Sequence, residues 1–161
     1  MSLIQLYRIC DPEFAKTPQQ MLSGVGSFLY GGRWNSPGNR AVYLAESLSL
    51  AAYELLVHVP YQVLQPYKRL SVRIPEDLIM VLDDSKLPKD WESPSHPELA
   101  GIGDSWIASN SSLGLSLPSA LIPGERNVII RPDHEDFSQI EIGEIEDFHY
   151  DPRLSGLKSD V

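Results

Sequence analysis

Residues 30–59 read YGGRWNSPGNRAVYLAESLSLAAYELLVHV, and this stretch predicts a loop, a strand and a helix in close succession. The sequence Ser36-Pro37-Gly38-Asn39 is strong turn chemistry, so the chain is expected to reverse there. A short apolar run then predicts a strand at Ala41–Leu44. Helical spacing of apolar residues predicts a helix over about Leu48–Val59, which Pro60 ends. The residues expected on its buried face are Leu48, Ala51, Ala52, Leu55, Leu56 and Val59.

Three chemically useful side chains fall on these three consecutive elements. Arg33 follows a glycine pair in the loop, Tyr43 lies in the strand, and Glu54 lies in the helix. A guanidinium, a phenol and a carboxylate on one compact unit can hold a phosphate-bearing ligand and place a negative charge beside it. The stretch therefore predicts a candidate binding site.

The rest of the chain predicts mostly short strands, with one further short helix within Ala100–Asn110 that begins near Asp104 and turns Trp106 and Ile107 inward. The mixture indicates a single α+β domain over residues 1–161, built from short mixed β-sheets and a few short helices. The further strands are predicted at Leu3–Ile9, Tyr67–Ile74, Leu78–Leu82, Leu113–Ile122 with a break at Pro118, Asn127–Ile130 and Phe137–Ile145.

Three segments carry no clear strand or helix pattern. Residues 83–98 are polar and rich in proline, which predicts a surface excursion that Trp91 pins to the core. Residues 23–27 (SGVGS) favour a plain connector over a phosphate-binding loop, because they lack a full glycine-rich signature. The charged tail from about Asp147 is expected to be loose.

Composition excludes several classes of protein. The chain has 161 residues and a net charge of -9, whereas a general nucleic-acid binder carries a basic face. Its single cysteine, Cys10, excludes an internal disulfide and favours a buried apolar role over a nucleophilic one. The four scattered histidines predict no metal site. With no leader and no membrane-spanning run in the sequence, we expect a cytoplasmic protein that binds no membrane.

Several short motifs, in order, resemble the RES-domain family of bacterial toxins. The family takes its name from an arginine, a glutamate and a serine, which here match Arg33 in GGRWN, Glu54 in AAYELL and Ser119 in LPSALIP. The flanking YRI, AVYLAES, GDSW and PSALIPGERN also fit. Residues 131–134 (RPDH) depart modestly from the Asn-Pro-x-His expected at this point, so the resemblance assigns no functional role to His134. The resemblance covers about residues 7–137.

The resemblance implies an NAD⁺-consuming toxin with an ADP-ribosyltransferase-like fold and no metal. It implies a cognate antitoxin that carries a helix-turn-helix DNA-binding region and covers the active site, and it leaves a homodimer possible. The implied catalytic residues are Arg33, Tyr43, Glu54 and Ser119. The residues implied to bind NAD⁺ are Arg33, Tyr43, Arg8, Gly32 and Asn127.

NAD⁺ cleavage suits a site with one carboxylate. Nicotinamide leaves a cationic pyridinium as a neutral molecule, so no general acid is needed, unlike in ordinary glycosidases with their two carboxylates. Glu54 would stabilise the positive charge growing on the ribose, and Ser119 would bond Glu54 or the ribose. Arg33 would pair with the pyrophosphate, and Tyr43 would contact the nicotinamide ring. The acceptor can be water, phosphate or a protein side chain.

Each residue also has a simpler interpretation. Glu54 can pair with His58 one helical turn away, for about 0.3 kcal/mol. Arg33 can lie over Trp34, Tyr43 can be a core residue, and Ser119, which follows a proline, can serve a turn. Among functions, an ADP-ribosyltransferase that modifies a specific protein and a non-enzymatic interaction module remain the alternatives to an NAD⁺ glycohydrolase or phosphorylase.

Overall fold

A computed structural model describes residues 2–158 of the chain. Its strands are β1 (Leu3–Cys10), β2 (Val42–Ala45), β3 (Tyr67–Pro75), β4 (Ile79–Val81), β5 (Gly114–Pro118), β6 (Arg126–Ile130), β7 (Glu141–Ile142) and β8 (Glu146–Phe148). Its α-helices are α1 (Pro18–Met21), α2 (Val25–Tyr30), α3 (Leu48–His58) and α4 (Leu99–Ser109). The predicted α+β class is therefore confirmed.

The strands form one mixed sheet in the order β4-β5-β6-β2-β1-β3-β7, with β8 also paired to β3. β4 and β5 run parallel, and the other pairs are antiparallel. β1 and β3 pair along eight positions, whereas β1 and β2 share the single pair Tyr7 and Ala45. The two central strands β1 and β2 are therefore joined only locally, close to the start of α3.

Successive side chains of each strand point to opposite faces of the sheet. Because apolar residues occupy both sets of positions, both faces are apolar. One face carries Leu6, Leu44, Val72 and Ile130, which pack with Met21 of α1. The other face is covered by helices. α3 packs over β1 and β2, and α4 packs over β5 and β6 through the buried residues Trp34, Trp106, Leu115, Leu117 and Ile129.

The predicted buried face of α3 is nearly right but omits its most buried residue. Leu50 is fully enclosed beside Ala51, while Leu48, Ala52 and Leu55 are partly buried. Leu50 is buried because both the sheet and the chain around Val63 pack against this helix. The helix therefore presents more than a single apolar stripe.

The strand predicted over Phe137–Ile145 is wrong in its first half. Glu135–Gln139 forms a 3₁₀ helix, and only Glu141–Ile142 forms a strand. His134 caps that helix, because its Nδ1 accepts a hydrogen bond from the backbone N–H of Asp136 at 3.0 Å. The local cap outweighs the alternating pattern.

Two segments predicted to be irregular are ordered. Gly24 takes a left-handed conformation (φ 69°) and begins α2, so residues 23–27 hold the start of a helix rather than a plain connector. The tail predicted to be loose from about Asp147 begins inside β8, and Tyr150 beyond this strand is buried; the last part of that prediction, residues 159–161, lies outside the described residues. Aromatic residues at 148 and 150 give this tail a place in the core.

Candidate active site

The loop of residues 31–39, here called the Arg33 loop, is organised around the buried amide of Asn35, which is 1% exposed. Its Nδ2 donates to the carbonyl oxygens of Ser27 (3.1 Å) and Asn39 (2.9 Å). Its Oδ1 accepts a hydrogen bond from the Tyr43 hydroxyl at 2.7 Å. The amide thus fastens both ends of the loop to the strand that follows it.

Tyr43 supports the Arg33 loop through its hydroxyl. Besides donating to Asn35, the hydroxyl accepts a hydrogen bond from the backbone N–H of Trp34 at 2.9 Å. Burial raises the pKa of Tyr43 above its ordinary value, so the phenol stays protonated at neutral pH. A Cβ at Gly32 would lie 2.7 Å from this hydroxyl, so the glycine is required by Tyr43 itself.

Helix α4 holds the other side of the Arg33 loop. The Asp104 carboxylate accepts hydrogen bonds from the N–H of Ser36 and from Nδ2 of Asn39, both at 2.8 Å. Burial alone would raise the pKa of Asp104, but these bonds outweigh it and the pKa lies below its ordinary value. Gly103 packs directly on the backbone of Trp34, with the position of a Cβ only 2.8 Å from the Trp34 carbonyl carbon.

Replacing Gly103 by alanine is therefore expected to destabilise the fold. The added Cβ would overlap the Trp34 carbonyl, and backbone on both sides leaves little room to move. We expect a loss of about 3 kcal/mol or more, seen as a drop in Tm of about 6–12 °C. Gly101→Ala is the matched control, since a Cβ there meets nothing within 4 Å. Alanine at 101 should stabilise the helix by about 0.5–1 kcal/mol, and equal effects of the two changes would contradict this packing.

The Arg33 guanidinium is bound by the 83–98 segment. Its Nη1 donates to the carbonyl oxygen of Ser93 at 3.0 Å, and its Nη2 donates to that of Trp91. The predicted role of Trp91 is confirmed, because its ring packs against Trp34 with centroids 6.4 Å apart. The Nε atom of Arg33 is buried and has no hydrogen-bond partner within the described part of the chain.

The charge of Arg33 is only partly compensated. Burial lowers the pKa of Arg33 below its ordinary value. The carboxylates of Glu54 and Glu92 act in the opposite direction, which places both within electrostatic reach of the guanidinium. An arginine that holds two carbonyls and keeps a buried unpaired N–H is suited to accept an anion.

The Glu54 carboxylate is half-buried and faces Ser119, which is 5% exposed. The Ser119 hydroxyl donates to Oε1 of Glu54 at 3.4 Å, a long bond. The same hydroxyl accepts hydrogen bonds from the N–H groups of Leu121 and Ile122, both at 3.1 Å. Ser119 is thereby fixed by its own turn and aimed at Glu54.

Burial raises the pKa of Glu54 above its ordinary value. The charge of His58 opposes this shift, followed by hydrogen bonds from Ser119 and Asn127 and by the charge of Arg33. The ion pairs of the described residues do not include one between Glu54 and His58. Partial desolvation of a carboxylate beside a cation is typical of functional sites.

The structure brings the predicted residues Gly32, Arg33, Tyr43, Glu54, Ser119 and Asn127 into one neighbourhood between α3, α4 and the sheet. It does not bring Arg8 to this group. Arg8 leaves β1 on the face of Leu6 and Cys10, and its Nη1 donates to the Tyr43 carbonyl at 3.2 Å. Burial lowers the pKa of Arg8, whose Nε is also buried without a partner in the described chain.

Sequence reasoning missed Asn35, Asp104 and the carbonyls of residues 91 and 93 as parts of this site. The GDSW motif was a usable signal for Asp104, but backbone acceptors have no sequence signature. Among residues 2–158, no group of three or more histidine, cysteine, aspartate or glutamate side chains is arranged to hold a metal ion. No helix in this range is long and apolar enough to cross a bilayer.

A solved structure defines the class of fold. A chain of the MbcT–MbcA toxin–antitoxin complex of M. tuberculosis superposes with a TM-score of 0.74, covering 97% of this chain and 88% of that one, at 18% identity. The likeness shows that the two chains share one α+β fold.

The sequence places the chain within that class. The profile of the RES domain matches residues 5–151, so the chain belongs to the RES domain family. It is 41% identical over 156 residues to Toxin Res of Photorhabdus laumondii, covering 95% of this chain and 98% of that protein. It is 40% identical over 155 residues to Toxin Res of Yersinia enterocolitica, covering 94% and 99%. The Prs ADP-ribosylating toxin of Sphingobium is 33% identical over 139 residues, covering 83% and 86%.

Proposed function

We propose that this chain is the toxin of a toxin–antitoxin pair and that it cleaves the nicotinamide–ribose bond of NAD⁺, as a glycohydrolase or a phosphorylase. The observation that carries the proposal is the half-buried Glu54 carboxylate, backed by Ser119 and within electrostatic reach of Arg33. The names of the Photorhabdus and Yersinia relatives support the toxin role.

Glu54 is proposed to stabilise the transition state of bond cleavage. The bond between the ribose anomeric carbon and the pyridinium nitrogen breaks, and its electron pair stays with nicotinamide, which leaves neutral. Positive charge then develops on the ribose, where an ionised carboxylate provides electrostatic stabilisation. Water or phosphate adds to the anomeric carbon, and water gives up one proton to solvent. Ser119 keeps the carboxylate in place.

Arg33 is proposed to bind the pyrophosphate of NAD⁺. A guanidinium has five N–H donors, and the carbonyls of Trp91 and Ser93 use two of them here. The Nη–H groups that these carbonyls leave unused are therefore proposed to donate to a phosphate. We also propose Asn127 as a contact to the ribose or to Glu54. Arg8 is left out of this proposed set of contacts, because it lies on the opposite face of the sheet and its guanidinium donates to the Tyr43 carbonyl.

Tyr43 is proposed to act mainly through the Arg33 loop. Its hydroxyl already bonds the N–H of Trp34 and the amide of Asn35, so only its ring is left to stack on nicotinamide. Gly32 lies against this hydroxyl and allows the loop backbone to approach both the tyrosine and the ligand.

A second candidate function is ADP-ribosylation of a specific cellular protein. The name of the Sphingobium relative favours it. Here the same bond breaks, but the acceptor is a protein side chain admitted beside the 83–98 segment. The exposed Glu92 of that segment lies within electrostatic reach of Arg33 and would meet the incoming protein. The surface of this segment would then select the acceptor.

The proposed partner is an antitoxin with a helix-turn-helix DNA-binding region that covers the active site. Support comes from the solved complex with the same fold, which is a toxin–antitoxin pair. Such a toxin would act on cytoplasmic NAD⁺ without binding nucleic acid or membrane, either as a monomer or as a homodimer.

The test of function is incubation of the purified protein with NAD⁺ labelled in its adenosine part. Separate reactions contain buffer alone, inorganic phosphate, or a cell extract. ADP-ribose, phosphorylated ADP-ribose or a labelled protein would each identify one acceptor. If no reaction consumes NAD⁺ while the toxic effect persists in Glu54→Gln, the non-enzymatic interaction module is the better explanation.

A further inference from the structure

Tyr150 lies outside every proposed substrate contact, yet it touches the helix that carries Glu54. Its hydroxyl donates a hydrogen bond to the carbonyl oxygen of Ala52 in α3 at 2.5 Å. The backbone N–H of Leu56 lies near this hydroxyl and partly opposes the rise that burial causes in the Tyr150 pKa. Ala52 and Leu56 are four residues apart, which is about one turn of α3, and Glu54 lies midway between them in the sequence. The hydroxyl therefore contacts the turn of α3 that presents Glu54.

The C-terminal segment holds Tyr150 firmly in this position. Its ring packs edge-to-face against Tyr67 and Phe148, with centroids 5.6 Å and 5.0 Å away. Tyr67 and Phe148 are direct partners in the pairing of β3 with β8. The same pairing is reinforced by ion pairs of Lys68 with Asp147 and of Arg69 with Glu146. At 9% exposed, Tyr150 has little freedom to move.

A side-chain hydroxyl that bonds a backbone carbonyl inside a helix changes the local geometry of that helix. It competes with the backbone for the same donor and acceptor, which bends or fixes the turn at that point. The sheet packs against α3 at Leu50 and Ala51, and Tyr150, in the same buried cluster, adds a hydrogen bond to the carbonyl of the next residue, Ala52. Burial raises the pKa of Tyr150 to about 12, so the hydroxyl keeps its proton throughout the physiological range.

We propose that Tyr150 is a positioning residue for Glu54 and that the segment from β8 through Tyr150 is an integral part of the active site. The proposal rests on the proposed function for its effect on catalysis. Whether Tyr150 positions the Glu54 carboxylate can be tested without measuring any reaction.

The test compares Tyr150→Phe with Tyr67→Phe. Both changes remove one buried hydroxyl that donates to a backbone carbonyl, but Tyr67 bonds Gln62, outside α3. We expect Tyr150→Phe to lower kcat for NAD⁺ cleavage about 10-fold with KM nearly unchanged, and Tyr67→Phe to change kcat less than about 2-fold. Equal effects of the two variants on kcat would overturn the proposal.

A second readout is independent of activity. The pKa of Glu54, followed by NMR of its ¹³C-labelled side-chain carboxyl, should fall toward its ordinary value in Tyr150→Phe, because a looser turn admits water. It should stay unchanged in Tyr67→Phe, and an unchanged value in both would overturn the proposal. If the wild type consumes no NAD⁺, the proposed function fails while this titration still decides the role of Tyr150. Should Tyr150→Phe not fold, Phe148→Leu replaces it, with the same expected direction.

Discussion

Glu54→Gln is expected to remove nearly all NAD⁺ cleavage while making the protein more stable at neutral pH. The amide keeps the shape and can accept the Ser119 hydrogen bond, but it cannot stabilise a developing positive charge. We expect kcat to fall about 100- to 1000-fold, the size seen when one electrostatic group is lost. Nicotinamide release measured over time checks this loss.

The stability gain follows from the sign of the Glu54 pKa shift. Burial raises its pKa in the folded state, so folding favours the protonated form. The ionised carboxylate therefore costs folding free energy at neutral pH, and this cost disappears as pH falls below the ordinary value of 4.5. Glu54→Gln should raise Tm at pH 7 and leave it nearly unchanged at acidic pH.

Glu46→Gln is the matched control for this prediction. Glu46 is exposed, and its carboxylate accepts a hydrogen bond from the N–H of Arg126 at 2.9 Å, which glutamine can also accept. The control should change neither nicotinamide release nor Tm by a comparable amount. A large drop in Tm for Glu54→Gln at pH 7 would mean that Glu54 serves the fold and not the reaction.

Arg33→Lys is expected to lower kcat/KM about 100-fold or more, mainly through KM. Lysine keeps the charge but loses the planar fork, so it cannot bond the carbonyls of Trp91 and Ser93 and a phosphate together. Each hydrogen bond to a charged group contributes about 1.5–3 kcal/mol, and more than one is lost. Steady-state kinetics with NAD⁺ as the varied substrate checks the result.

The same substitution should loosen the 83–98 segment, which limited proteolysis can detect as faster cleavage there. Arg40→Lys is the control, because Arg40 also donates to a backbone carbonyl, that of Ser23 at 2.8 Å, and packs on the ring of Phe28. An Arg33→Lys variant with unchanged KM would show that the guanidinium supports the loop alone and does not bind the dinucleotide.

Much of the site could be predicted from local patterns. Turn chemistry, a short apolar run and helical spacing in residues 30–59 placed Arg33, Tyr43 and Glu54 on successive elements. Their order with Ser119 then predicted the family, which the RES domain match confirms. Elements whose pattern and packing agree are the ones that sequence predicts well.

The remainder depended on contacts between distant parts of the chain. Nothing near Tyr43 in sequence indicates that its hydroxyl is used by Asn35 and Trp34, and Arg33 finds its acceptors about sixty residues away. The burial of Tyr150 likewise requires the pairing of β8 with β3, which a charged tail does not suggest. For Arg33 and Tyr150 a partner far along the chain decided the contact, whereas the Tyr43 hydroxyl is used by residues eight and nine positions away whose approach no local pattern indicates.

The most direct test of the central claim is the release of free nicotinamide, followed by proton NMR with enzyme and NAD⁺ at equal concentrations. With phosphate and cell extract supplied in turn, the wild type should release one nicotinamide for each NAD⁺ consumed, and Glu54→Gln should release almost none. Equal release by both proteins, or intact NAD⁺ with the wild type under every condition, would contradict the claim that Glu54 drives cleavage of this bond.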